Sequence, residues 1–287
     1  MPVNKWESTS STDYSVASNW SAGTVPAAGE NVVILNGTAD ITAGLSQLAV
    51  ELAGFEVERG YNGTIGSSSG DLSLSLGSGD HFKFAGSGEA WINLDDSPCN
   101  VHVRQTFGAQ DGYYGLNIRG TAIDKLNVYD GSVGIGNDRG DITSVASFHV
   151  GGPGAMLYIR SGCAVTSGIT VQDGEVLLEG STGGSGVQVR VNGGLFECRV
   201  DTGSGSTAIN ELIVTGGTAV HNSEAVITTA RLHGGVLDLS RSAQNKTISN
   251  LYLEPGGSYI YHPASSAITH QESTQGGALF VNANQAM

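Results

Sequence analysis

Two apolar residues at alternate positions, a polar residue, a glycine-ending pair and two more alternating apolar residues recur along most of the chain. The pattern reads Leu126/Val128, Asp130-Gly131, Val133/Ile135; then Ile169/Val171, Asp173-Gly174, Val176/Leu178; then Val189/Val191, Gly193-Gly194, Phe196/Cys198; and Leu232, Gly234-Gly235, Leu237/Leu239. Weaker copies surround Gly88, Gly112, Gly217 and Gly257, and together with Gly154 these glycines stand 18–24 residues apart. A period averaging about 21 residues, with alternation inside it, is the signature of a solenoid built from strands. The pattern predicts an all-β, single-stranded, right-handed parallel β-helix (β-solenoid) of about ten coils, the hand following the preference of parallel crossovers.

A coil of that length has a contour of about 70 Å at about 3.3 Å per residue, room for three short strands and three corners. A three-sided helix is therefore expected, with glycine at a fixed phase opening corners that β-branched residues resist. One coil cannot bury its apolar row alone. Stacking at about 4.8 Å per coil pairs the backbone with the coils above and below and joins the rows into a continuous core. Two copies break register: around Gly151-Gly152-Pro153-Gly154 either Met156/Tyr158 or Leu157/Ile159 fits the inward row, and after Gly217 Val220 fits better than Ala219. A slip of one residue inverts the face, so both are expected at bulges or insertions. The repeat region is read as one elongated domain over residues 41–262, between an N-terminal arm and cap (1–40) and a C-terminal tail (263–287) that loses the period and caps the last coil or docks on a partner.

Composition sharpens what this stack can do. The chain has 287 residues with 43 glycines, 14% charged residues and a formal charge of −14. Its thirteen basic residues form no stripe interleaved with aromatics, which removes the electrostatic footprint of nucleic-acid binding. No apolar run is long enough to span a bilayer. Cys99, Cys163 and Cys198 lack metal-ligand spacing, and Cys198 falls at an inward phase as a small buried hydrophobe. Polysaccharide cleavage needs two carboxylates about 5 to 9.5 Å apart on one face. Asp130 and Asp173 share a phase two coils apart, near 10 Å by the stacking distance; Asp95-Asp96 point to opposite faces of a strand, and Asp138 and Asp141 flank a glycine-rich turn. All of these read as turn residues accepting nearby backbone N–H groups. Arg139-Gly140-Asp141 is a turn tripeptide, His149 faces outward between Phe148 and Val150, and neither a metal nor a cofactor is expected. Trp91, Tyr113 and Tyr158 are expected on outward faces, suited to a subunit interface or to sugar stacking.

The opening carries a second kind of signal. Asn19-Trp20-Ser21, Gly23, Val25-Pro26, Gly29-Glu30-Asn31 and Val32-Val33-Ile34 resemble the cap segment that begins many β-helical proteins of bacterial surfaces and bacteriophage genomes. Gly54-Phe55 and Gly60-Tyr61-Asn62-Gly63-Thr64-Ile65-Gly66 look like the first coil of phage proteins of the same group, so the resemblance covers residues 15–80. It implies a solenoid in a phage particle or at a cell surface and brings no catalytic residues. Trp20 and Pro26 are expected to cover the open end of the first coil, where apolar core and an unpaired strand edge would otherwise face water. Met1-Pro2-Val3-Asn4-Lys5-Trp6 runs into a polar stretch with no apolar h-region, so either a leader has already been removed, or the protein acts where it is assembled, or it leaves the cell by lysis, the last being the condition that a virion component satisfies. The expected function is a non-enzymatic bacteriophage virion structural protein: capsid-exterior decoration, otherwise a fibre or spike component. It is expected to assemble in the host cytoplasm, to associate as a homotrimer and to contact capsid or other virion proteins. The alternatives are a carbohydrate-binding or carbohydrate-cleaving β-helix, contacting host-surface glycans, and a bacterial surface adhesin.

Overall fold

The computed structural model describes residues 2–94, 98–106, 114–136, 143–180, 187–199, 209–241, 246–261, 266–273 and 279–282. Apart from a single-turn 3-10 helix at Ala17–Asn19, every described element is a strand. The chain divides into two compact units, Met1–Ala146 and Ser147–Met287. The first contains β1 (Val3–Lys5), β2 (Asn31–Gly37), β3 (Ser46–Leu52), β4 (Gly54–Tyr61), β5 (Leu72–Leu76), β6 (Gly79–Phe84), β7 (Ala90–Asn93), β8 (Cys99–Val103), β9 (Leu116–Arg119), β10 (Ile123–Val128) and β11 (Gly131–Ile135). Strand β12 (Thr143–Val150) runs through the division. The second unit contains β13 (Ala155–Ile159), β14 (Cys163–Val171), β15 (Glu175–Leu178), β16 (Val187–Val191), β17 (Leu195–Cys198), β18 (Ile209–Val214), β19 (Thr218–His221), β20 (Val226–Leu232), β21 (Val236–Asp238), β22 (Lys246–Leu253), β23 (Ser258–Tyr261), β24 (Ser266–Ser273) and β25 (Leu279–Asn282).

Each unit is a β-solenoid in which, from β2 onward, successive strands alternate between two parallel sheets. In the first unit the orders are β1-β2-β4-β6-β8-β10 and β3-β5-β7-β9-β11; in the second they are β14-β16-β18-β20-β22-β24 and β13-β15-β17-β19-β21-β23-β25. Register stacks like on like. In the second unit Ile169, Val189, Leu212, Ala230 and Leu251 form one inward column, and Leu157, Val176, Phe196, Ala219 and Leu237 another. All are buried.

Three short strands per coil are not found among the described residues: each coil carries two, in two sheets. Hydrogen bonding gives two sheets, but the longer strand of a turn changes its inward phase midway. In β22 Lys246 and Ile248 point in, then Leu251 and Leu253, so two inward residues are three apart where strict alternation allows an even spacing. The ladder between β20 and β22 omits the Thr228/Ser249 pair at this bend. The Asn250 side-chain amide donates to the Thr228 carbonyl at 3.2 Å, satisfying an acceptor that the bend releases. A turn therefore presents three inward rows from two hydrogen-bonded strands.

The glycine corners are most regular at Gly174, Gly194, Gly217 and Gly235, whose φ angles are 78°, 63°, 65° and 67°. A Cβ on Gly194 would sit 2.2 Å from the Gly174 carbonyl oxygen, one on Gly217 2.4 Å from that of Gly194, and one on Gly235 2.6 Å from that of Gly217. The same carbonyls accept hydrogen bonds from Leu195, Thr218 and Val236 at 2.8, 2.9 and 3.0 Å. Glycine is thus required twice over, by backbone conformation and by the approach of the preceding turn. Gly131 is also left-handed. Gly88 and Gly257 are not, but a Cβ there would meet the Gly63 oxygen at 1.9 Å and the Leu232 oxygen at 2.4 Å. Gly154 adopts no positive φ either, and Gly112 lies outside the described residues.

Both ambiguous copies are settled by pairing. Leu157 and Ile159 are buried while Met156 is 37% exposed, so the former pair is the inward row. Ala219, not Val220, pairs with Phe196 and Leu237 in the inward column, and Val220 is buried on the other face. The ladder also extends beyond residues 41–262: β1 pairs with β2 inside the arm, and β24 and β25 pair in register with β22 and β23 inside the tail. Trp20 and Pro26 are buried. Trp20 meets Tyr14 and Trp6 edge-on at centroid distances of 4.6 and 5.2 Å, and its indole N–H donates to the Tyr14 carbonyl at 2.8 Å. Ser21 N–H donates to the Lys5 carbonyl at 2.9 Å, on the outermost strand of its sheet.

Candidate functional site

Of the carboxylates singled out in the sequence, Asp130 and Asp173 are turn residues. Asp130 Oδ1 accepts the Gly131 N–H and Asp173 Oδ1 the Gly174 N–H, each at 2.9 Å. Asp95, Asp96, Asp138, Asp141, Arg139, Gly140 and Tyr113 lie outside the described residues. Trp91 and Tyr158 are half-buried on outward rows, and the Tyr158 hydroxyl donates to Glu179. Cys198 occupies the inward column between Leu178 and His221, in agreement with its phase, and Cys99 and Cys163 are likewise buried. Burial pushes the Cys99 thiol up to about 12 and raises that of Cys163, which keeps both protonated and unreactive.

Among the described residues, one dense polar cluster was not legible in the sequence. It lies on the outward face of the second unit's smaller strands, where Glu197, Val220 and Asp238 stand opposite one another on β17, β19 and β21 and are all buried. Arg199 grips Glu197 with two bonds, Nε to Oε1 at 2.6 Å and a terminal nitrogen to Oε2 at 3.0 Å, and Asn222 donates to Oε1 at 3.4 Å. Asp238 accepts from Ser240 through Oδ1 and from Arg241 Nε through Oδ2 at 3.1 Å. The bonded Arg199 guanidinium holds the Glu197 carboxyl below the usual carboxylate range against the opposing pull of burial, with Asn222 and Arg241 assisting. The Glu197 and Asp238 rows are two turns, about 10 Å, apart. Cleavage of a glycoside by paired carboxylates requires one of them to stay protonated near neutrality. Glu197 is instead fixed as an anion in a fork geometry. Chemically, this arrangement ties one turn to the next.

Other outward rows follow the same rule. Arg231 on β20 bonds Glu211 on β18 at 3.0 Å and lies over the Tyr252 ring of β22 at 4.5 Å, while Gln188 on β16 donates to Glu211 at 2.7 Å. In the first unit Arg119 on β9 pairs with Asp71, whose side chain is only 5% exposed.

One inward position breaks the apolar rule. His221 stands next to Cys198 in a core column and is 1% exposed, with Nε2 2.8 Å from the Ala225 carbonyl. Burial pushes the imidazole down to about 4, the Ala225 carbonyl opposes the shift and Lys246 adds to it. Lys246 is itself buried, and that burial lowers its ammonium against the attraction of Asp238. The sign of the linkage follows: the unfolded chain takes up a proton as pH falls through about 6.5, whereas the native imidazole resists to about 4. Stability should therefore fall by about 3 kcal/mol across that window and show no contribution from this residue above it. Urea titrations of the wild type and His221→Gln at pH 7 and pH 4.5 test this, since the variant should lose much of the acid sensitivity.

No family model matches the chain, and searches of curated proteins and of solved structures return no significant match.

Proposed function

We propose that this chain is a non-enzymatic structural protein of a bacteriophage particle, decorating the exterior of the capsid or otherwise forming part of a fibre or spike, and that it works as a rigid scaffold. The observation that carries the scaffold reading is the glycine ladder: each turn is seated on the backbone of the turn below, so the stack is ordered before any partner arrives. A pre-ordered surface loses little conformational entropy on binding, and a modest contact then suffices for stable attachment. The outward rows support the same reading, because Glu197, Glu211, Asp238 and Asp71 are spent on partners within the chain. The virion assignment draws on the resemblance of residues 15–80 to phage β-helix openings, in which Trp20 and Pro26 serve as end caps.

The test is direct. In gradient-purified particles from a lysate that produces this chain, mass spectrometry should find it at a fixed ratio to the major shell protein, and cryo-electron microscopy should show solenoid density on the particle. Absence from particles, or glycan cleavage by the purified chain, would overturn the proposal.

A further inference from the structure

Beside the glycine corners of the second unit runs a groove of about 300 Å³ whose floor is Gly174 and Gly194 and whose walls include Pro153, Met156, Asp173, Glu175 and Leu195. Its shape follows from the ladder: stacked residues without side chains leave a gutter next to the first outward row of the adjoining strands. In that row Met156, Glu175 and Leu195 face one another on successive turns. Glu175 is therefore a half-buried carboxylate flanked above and below by apolar side chains.

Its electrostatic situation differs from that of its neighbours. Elsewhere in this unit Glu197, Glu211 and Asp238 each hold an arginine, Glu254 holds His233 and Glu179 holds a tyrosine hydroxyl. Among the described residues Glu175 has no hydrogen-bond or ion-pair partner, and Asp173 uses Oδ1 on its own turn. A carboxylate between two aliphatic walls matches a side chain that carries a cation on a methylene stem. We propose that this groove docks an extended basic segment of a partner protein, seating an Arg or Lys stem against Met156 and Leu195 with its charge at Glu175 and Asp173. A second copy of this chain is a poor occupant, since it brings 27 acidic residues against 13 basic ones.

The inference names the chemistry of the attachment proposed above, and the two can fail separately, because particle composition shows where the protein resides and groove binding shows what it takes. The probe is a fluorescein-labelled peptide of alternating arginine and leucine, with a glutamate-for-arginine peptide as control, read by fluorescence anisotropy on the full chain. The wild type should bind the arginine peptide and not the control, with affinity falling as salt rises. Glu175→Lys should weaken binding by roughly tenfold or more, and the isosteric Glu175→Gln by several-fold, with melting temperatures unchanged. Leu195→Ser should weaken it without altering the salt dependence. Undetectable binding by the wild type, equal binding by the Glu175 variants, or displacement of the peptide by a neutral oligosaccharide such as cellohexaose would each overturn the proposal.

Discussion

Val176→Asp should leave the chain unable to accumulate as soluble folded protein, while Glu175→Ala, one residue earlier on the same strand, should be silent for stability. Val176 is fully buried between Leu157 and Phe196 of the adjoining turns, whereas Glu175 points outward. The substitution forfeits about 2 kcal/mol of apolar burial. It also places a carboxyl among aliphatic groups that offer no hydrogen bond, at a further cost of several kcal/mol even if the group protonates. Against a typical native margin of about 5–15 kcal/mol, that loss also weakens the seating of both neighbouring turns, because a solenoid is held by nearest-neighbour interfaces. The soluble fraction on expression and circular-dichroism melts provide the measurement. Equal tolerance of the two changes would contradict the inward and outward phasing on which the fold rests.

Gly194→Ala should destabilise by about 2–5 kcal/mol, combining a left-handed backbone with overpacking. The new methyl would meet the Gly174 carbonyl at 2.2 Å, and that carbonyl is held by the Leu195 N–H, so neither side has freedom to yield. Gly23 supplies the control. Its φ of 66° matches that of Gly194, but nothing lies within 4 Å of its Cβ position. Gly23→Ala should therefore cost only the conformational part, about 1 kcal/mol. The difference between the two melting shifts isolates the contribution of turn-on-turn contact. Equal shifts would mean that the ladder is permissive and the scaffold less rigid than proposed.

Much of this architecture is legible in the chain because alternation and glycine phase are local properties. Ile169/Val171, Val176/Leu178 and the corners at Gly174, Gly194, Gly217 and Gly235 follow from spacing alone. The errors have identifiable causes. Hydrophobicity alone favours Val220 over Ala219 for the inward row, yet pairing with Phe196 and Leu237 selects Ala219, and Val220 is buried on the outward face between Glu197 and Asp238. The tail reads as aperiodic beside the stronger copies, yet Gly276-Gly277 stands 20 residues after Gly256-Gly257, and Ser266–Ser273 and Leu279–Asn282 pair with the turn before. For the polar cluster, the contacts within one turn, Glu197 with Arg199 and Asp238 with Ser240 and Arg241, could have been anticipated. The link from Glu197 to Asn222 bridges separate turns of unequal length, and no fixed offset along the chain encodes such a contact.

The sequence by itself determined that this protein is a stack of parallel strands with apolar columns inside and glycine at recurring corners, because side-chain alternation and left-handed φ are imposed residue by residue. Only the tertiary structure decided which residues lie opposite each other from turn to turn. That register bent the long strands to give three inward rows from two sheets, buried His221 and Lys246, paired the outward carboxylates with arginines, and left Glu175 without a cation beside an open groove. The physical reason is that contacts across turns depend on the summed lengths of the intervening loops, and a one-residue change there exchanges inside for outside.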